Sequence, residues 1–208
     1  MTGKDNATIS CSGVILAGGL NKRFSGRRKA FLTIGERRII DDIFDVFTSV
    51  FEEIILVTNN PMDYLEWDVN IVTDVYPARS SLTGIHTGLF YAGHPYIFVT
   101  ACDTPFLKRA LVETIVQNIE PGDAVVIPET SGGTEQLCAA YSKTCLSLME
   151  RQIKEKQFQI KKMFRKIRVK KIPENVLRNI DPELMSFFNI NTEEDLSFAR
   201  KLKANNFG

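Results

Sequence analysis

Gly18 and Gly19, with Lys22, Arg23, Arg27, Arg28 and Lys29 close behind them, form the stretch of this chain best suited to chemistry. Glycine has no Cβ, so its main-chain N–H groups can line a concavity the size of a phosphate. Neighbouring cations then neutralise the oxygens such a concavity receives. The implied ligand is a polyanion, a nucleoside triphosphate in the first instance. GLNKRFSG has neither the G-x-G-x-x-G order of dinucleotide-binding loops nor the G-K-[ST] ending that places a hydroxyl on magnesium, which disfavours a dehydrogenase or a P-loop enzyme. Spacing alone is equally compatible with a solvated loop. Other polar residues close apolar runs: Asn59 in VTNN, Asp74 in NIVTD and Asp103 in YIFVTACD. Asn189 and Asn191 have the period-two spacing that puts two side chains on one face of an extended segment.

The elements that must position these residues follow from hydrophobic periodicity. Short β-branched runs begin at Gly13, Glu53, Asn70, Tyr96 and Asp123 and alternate with amphipathic stretches, the pattern of a parallel sheet covered on both faces. Ile40, Ile43, Phe44, Phe47 and Val50 recur at helical spacing and leave Asp41, Asp42 and Asp45 on another face. Further helices are expected over 82–92 and 107–119, the latter stopped by Pro121 and Gly122. LCAAYS and KIRVKKIP read as strands, TCLSLMERQIKEK as a helix, and a closing helix begins at Thr192. In an open parallel sheet the strands' carboxyl ends form the ligand edge, where Gly18 and Gly19 fall.

Bulk properties narrow the function classes. A chain of 208 residues, 44% hydrophobic, can bury one substantial core, so one domain spanning 1–208 is expected. A formal net charge of +1 argues against a generic nucleic-acid or membrane-surface binder and makes any anion site local. No run is long and apolar enough for a membrane span, and the polar opening lacks a secretory signal, so a cytoplasmic protein is expected. Cys11, Cys102, Cys138 and Cys145 include no CxxC pair and read as buried reduced thiols.

LAGGLNKRFSGRRK resembles the LAGGxSxRMGxDK opening of the molybdenum cofactor guanylyltransferase (MobA-type) family, with Leu16, Ala17, Gly18, Gly19, Arg23, Gly26 and Lys29 on the pattern. ACDTPFL, EQLCAAY and FNINTEEDL are similar to three further segments of that family, in the same order along the chain. The resemblance implies a three-layer α/β/α, Rossmann-like nucleotidyltransferase fold with a mostly parallel central sheet. It implies transfer of GMP from GTP to molybdopterin, the molybdenum cofactor precursor, with release of pyrophosphate. It assigns Leu16, Ala17, Gly18, Gly19, Arg23, Lys29, Asn59 and Asp74 to nucleotide binding, with Arg23, Lys29 and Asp103 catalytic. Asp103 is also the implied ligand of Mg2+, and Asn189 and Asn191 the implied contacts of the pterin substrate.

These assignments have a physical basis and specific competitors. Magnesium prefers carboxylate and phosphate oxygens and keeps several waters, which suits a lone strand-end aspartate. Asp103 could instead cap a helix begun near Pro105. Guanine presents its N1–H and 2-amine to a carboxylate, a role for Asp74, although Asp74 and Asn59 are also ordinary turn residues. Asn191 could merely shape the start of a helix capped by Thr192 with Asp195 at its third position. Three departures from the family pattern stand out: Arg28 in place of aspartate, Ser80 and Ser81 in place of Gly-Pro, and Gln136 in place of proline. The basic run between Arg151 and Lys171 reads chiefly as a solvated face. It is otherwise a surface for an anionic ligand or an acidic cofactor-carrier or molybdoenzyme-chaperone protein. Cytidylyl transfer, nucleotidyl transfer to a sugar phosphate, and nucleotide binding without turnover are the competing functions.

Overall fold

The computed structural model describes residues 10–18 and 28–205. The strands are β1 (Cys11–Leu16), β2 (Thr33–Ile34), β3 (Arg37–Arg38), β4 (Ile54–Val57), β5 (Asn70–Val72), β6 (Tyr96–Ala101), β7 (Val125–Thr130), β8 (Gly133–Thr134), β9 (Cys138–Ser142) and β10 (Val169–Pro173). The helices are α1 (Ile39–Thr48), α2 (Ser81–Tyr91), α3 (Arg109–Gln117), α4 (Leu146–Lys154), α5 (Glu174–Arg178) and α6 (Glu193–Asn205). The expected helices are present, with their ends within two residues of the expected ones.

An eight-stranded sheet runs in the order β10-β7-β9-β6-β1-β4-β5, with β8 paired to β7, while β2 and β3 form a separate two-stranded pair. β1 is parallel to both β4 and β6, and β4 is parallel to β5. β9 is antiparallel to both β6 and β7. It slips between two strands that are neighbours in sequence, so the sheet is mixed though mostly parallel.

Side-chain alternation divides the core into two apolar layers. Ile15, Leu56, Phe98, Val126 and Ala140 face one side, with α1, α3 and α6 packed there through Phe47, Leu111 and Leu196. Val14, Ile55, Val57, Ile97, Val99, Val125 and Tyr141 face the other, covered by α2 and α4 through Leu82, Ile85, Met149 and Ile153. Strands buried on both faces are apolar throughout, which is why β4 and β6 read as continuous hydrophobic runs. Each large side chain so buried contributes about 1.5–3 kcal/mol. The result is the expected three-layer α/β/α arrangement.

Two glycines allow this close packing. A Cβ on Gly13 of β1 would lie 2.6 Å from the rings of Phe47 and Phe51, and one on Gly88 of α2 would lie 2.7 Å from Val14 Cγ1. After α4 the chain departs from expectation. Lys166 to Arg168 precede the strand, and residues 160–166 form a 3-10 segment that buries Ile160 and Met163. The run's cations hide its two apolar anchors from periodicity. Among the described residues no helix is long and apolar enough to cross a membrane.

Candidate active site

A cleft of about 580 Å³ opens at the carboxyl edge of the sheet. The edge is held rigidly: Ala17 donates its N–H to Val57 O at 2.8 Å, and Cys102 donates to Leu16 O at 3.0 Å. These bonds set Ala17, just after β1, between the ends of β4 and β6. Leu16, Ala17, Gly18, Lys29, Asp74, Asp103, Asn189 and Asn191 all line the cleft, and Asn59 reaches it through Asp74. Gly19 and Arg23 lie outside the described residues, so the structure places neither.

Lys29 begins a 3-10 turn, Lys29–Phe31, and lines the cleft. Its Nζ donates to Asp103 Oδ2 and to Asn191 Oδ1, each at 2.9 Å. Both charged side chains of the Lys29–Asp103 pair are mostly shielded, at 16% and 19% exposure. Asp103 does not cap a helix. The following helix, α3, starts only at Arg109, with Lys108 in the capping position, and the Asp103 carboxylate points to Lys29 instead.

Asn191 has two roles at once. Its backbone N–H and that of Thr192 donate to Asp195 Oδ2, both at 2.8 Å, while Asp195 N–H donates to Thr192 Oγ1 at 3.2 Å. This reciprocal capping box starts α6 and leaves the Asn191 amide oxygen directed at Lys29. Asn189, exposed on the same side of the buried Ile190, donates its amide to Phe187 O at 3.0 Å. The segment is moored to the metal-ligand candidate itself, because Ile190 N–H donates to Asp103 O at 3.0 Å.

At the β5 end, Asn59 Nδ2 donates to Asp74 Oδ2 at 2.8 Å, while the other carboxylate oxygen is buried without a hydrogen-bond partner among the described residues. Burial pushes the Asp74 carboxyl above the usual aspartate range, against the opposing pull of the Asn59 hydrogen bond and of Arg79. Such an orphaned acceptor fits a ligand that brings N–H donors. Cys102 is the nearest thiol to the centre. Burial, followed by the Asp103 charge, pushes it up to about 12, so it is not a thiolate nucleophile at neutral pH.

The departures acquire structural explanations. Ser80 N-caps α2, accepting the Thr83 N–H at 3.1 Å, which replaces Gly-Pro with a side-chain cap. Arg28 lines the cleft and pairs with Asp63. Gln136 donates to Thr134 Oγ1 at 2.9 Å and, through its backbone oxygen, accepts from the Tyr141 hydroxyl at 2.7 Å. Among the lining residues that were not foreseen, Tyr64, Arg79 and Glu135 carry polar or titratable groups. Glu135 lay inside the quoted EQLCAAY segment, and its position at the head of a strand was the signal that could have found it.

A divalent cation would find oxygen donors here. No group of three or more His, Cys, Asp or Glu side chains among the described residues is arranged around one point. Asp103 is the one carboxylate beside Lys29 among the described residues, which suits an ion that takes its remaining ligands from phosphate and water.

Residues 13–171 match the family model of the MobA-like NTP transferase domain. The chain is 47% identical over 188 residues to a molybdenum cofactor guanylyltransferase from Desulfosudis oleivorans, covering 90% of this chain and 93% of the relative. It is 35% identical to a probable molybdenum cofactor guanylyltransferase from Natranaerobius thermophilus, covering 93% and 97% of the two chains. In three dimensions it superposes on molybdopterin-guanine dinucleotide biosynthesis protein A from Archaeoglobus fulgidus with a TM-score of 0.82 at 25% identity, covering 93% of this chain and 99% of that one.

Proposed function

Because the chain belongs to the MobA-like NTP transferase family and is a nucleotidyltransferase, we propose that it transfers GMP from GTP to molybdopterin, forming the guanine dinucleotide and releasing pyrophosphate. Residues 1–208 act in this reading as one nucleotidyltransferase unit. The observation that carries it is the convergence of Lys29, Asp103 and Asn191 in one cleft beside the Gly18 backbone.

The chemistry requires no protein nucleophile. An oxygen of the acceptor's terminal phosphate attacks the α-phosphorus of GTP, a new P–O bond forms, and the bond to the β-phosphate breaks with its electron pair leaving on pyrophosphate. The barrier lies in bringing two anions together and in the charge that grows on the leaving group, so positioning and electrostatics do the catalysis. Lys29 supplies a charge-assisted donor to non-bridging oxygens once the nucleotide competes for its ammonium. Backbone N–H groups near Gly18 orient the phosphates, and Arg23 adds a second cation. Asp74, whose free oxygen awaits donors, receives the guanine N1–H and 2-amine, and Asn59 fixes its rotamer. Asn189 and Asn191 orient the acceptor. Asp103 would hold the magnesium ion, whose contribution is to neutralise phosphate charge.

The test is pyrophosphate release by the purified protein with molybdopterin, Mg2+ and each of GTP, CTP and ATP. Turnover with GTP at least about 100-fold above the others is expected from a buried carboxylate that adenine and cytosine cannot satisfy. Preference for CTP overturns the base assignment, and no turnover with any nucleotide overturns the reaction.

A further inference from the structure

Glu135 sits in the turn between β8 and β9 and lines the same cleft as Asp74. Its backbone is held on both sides: its N–H donates to Pro128 O at 3.0 Å, and its carbonyl accepts the Cys138 N–H at 3.2 Å. Among the described residues its half-buried carboxylate makes no hydrogen bond. Lys161 is the cation beside it; the Lys161 ammonium lies close to β8, 3.4 Å from where a Cβ on Gly133 would stand. The chain thus fixes the backbone that carries this carboxylate and, among the described residues, leaves its acceptor capacity unused.

Its place along the sheet edge gives that capacity a purpose. Across β5, β4, β1, β6 and β9 the edge presents Asp74, Asn59, Gly18, Asp103 and Glu135 in turn. β9 runs antiparallel, with Cys138 opposite Thr100, so the start of β9 reaches the edge where the parallel strands end. One carboxylate therefore stands on each side of the phosphate-handling centre. Guanine and pterin share a 2-amino-4-oxopyrimidine edge, in which a ring N–H lies beside an exocyclic amine. Two parallel donors of this kind match the two oxygens of a carboxylate. A reaction joining a guanine nucleotide to a pterin calls for two such acceptors on opposite sides of the transferred phosphate.

We propose that Glu135 is a specificity-determining residue for the acceptor, accepting hydrogen bonds from the ring N–H and 2-amine of its pterin. This rests on molybdopterin being the acceptor. Burial pushes the Glu135 carboxyl above the usual range while Lys161 opposes the shift, so the ionised form gains more from two donors than a solvated carboxylate does.

The experiment compares the unaltered enzyme with Glu135→Gln and Glu135→Asp. KM is measured for molybdopterin at saturating GTP and Mg2+, and for GTP at saturating molybdopterin. Equilibrium titrations use two phosphate-free probes, 6-hydroxymethylpterin and its 2-oxo counterpart 6-hydroxymethyllumazine. Glu135→Gln replaces one of the two acceptor oxygens with an amide donor and removes the charge, so the molybdopterin KM should rise about tenfold or more while the GTP KM stays within twofold. The unaltered enzyme should prefer the pterin over the lumazine, Glu135→Gln should lose that preference, and Glu135→Asp should keep part of it. A preference ratio does not depend on the folded fraction. A molybdopterin KM within twofold in an active Glu135→Gln enzyme overturns the proposal, as does equal binding of the two probes by the unaltered enzyme. Where the probes bind too weakly to titrate, the KM split decides. An unaltered protein that never joins GTP to molybdopterin sinks the proposed reaction and this assignment together.

Discussion

A single ammonium, that of Lys29, bridges two oxygen acceptors that lie 74 and 162 positions away in sequence. Asp103 faces that ammonium and serves no cap, so its carboxylate is available for chemistry at modest cost to folding. Replacing Asp103 with alanine should lower pyrophosphate release by at least about 100-fold, the scale on which transition-state electrostatics are lost. The same change should cost only about 1–2 kcal/mol of stability, read from thermal or urea unfolding. Near-normal turnover with a large loss of stability would reverse the assignment and make Asp103 a scaffold residue. Asp103, Lys29, Asp74 and Asn191 were legible as candidates because each closes an apolar run or falls on a motif. Glu135 also falls on a motif, in EQLCAAY, but a glutamate ahead of a strand looks like any solvated turn residue until its burial is known.

The loop that carries Asn189 and Asn191 is held by a buried carboxylate farther back in the chain. Asp181 is fully buried, pairs with Lys108 at 2.8 Å and accepts the Ser186 N–H at 2.7 Å. Ser186 Oγ in turn accepts the Lys108 N–H at 3.1 Å, locking the loop to the segment that leaves Asp103. Burial alone would raise the Asp181 carboxyl, but the Lys108 and Ser186 hydrogen bonds outweigh it and leave it below its ordinary value of 3.8. A lowered carboxyl pKa contributes stability that is fully present above the unfolded value and lost as pH falls through the native one. Asp181→Asn should therefore lower stability by about 2 kcal/mol at neutral pH and by less in acid, measured by urea unfolding across pH. An equal loss at every pH would exclude the charged pair as the cause. Elements of this size were largely readable: α1 and α3 show helical periodicity, and β4 and β6 show continuous burial. The short β2–β3 pair and the 3-10 segment 160–166 were not, since two-residue strands and two apolar anchors among cations leave no period to detect.

Taken whole, the molecule is a sheet whose two apolar layers hold one edge still while loops from β1, β4, β5, β6 and β9 surround a cleft. One carboxylate is too few to hold magnesium tightly without nucleotide. Mg2+ alone should hardly move the melting temperature, whereas GTP with Mg2+ at about 100 times Kd should stabilise by about 2.7 kcal/mol, a rise of roughly 5–10 °C. A full shift from Mg2+ alone, seen by calorimetry, would mean that the chain binds the ion unaided. What the sequence determined by itself was local or periodic: alternating strands and helices, the glycine-cation stretch, and polar residues at strand ends. These follow from chain geometry and from what each residue can bury. Tertiary structure alone decided that β9 inserts between β6 and β7, that Asn191 reaches Lys29, and that Asp74 and Glu135 flank one centre. Those facts depend on contacts between distant segments, which only the packing of both layers onto the sheet brings together.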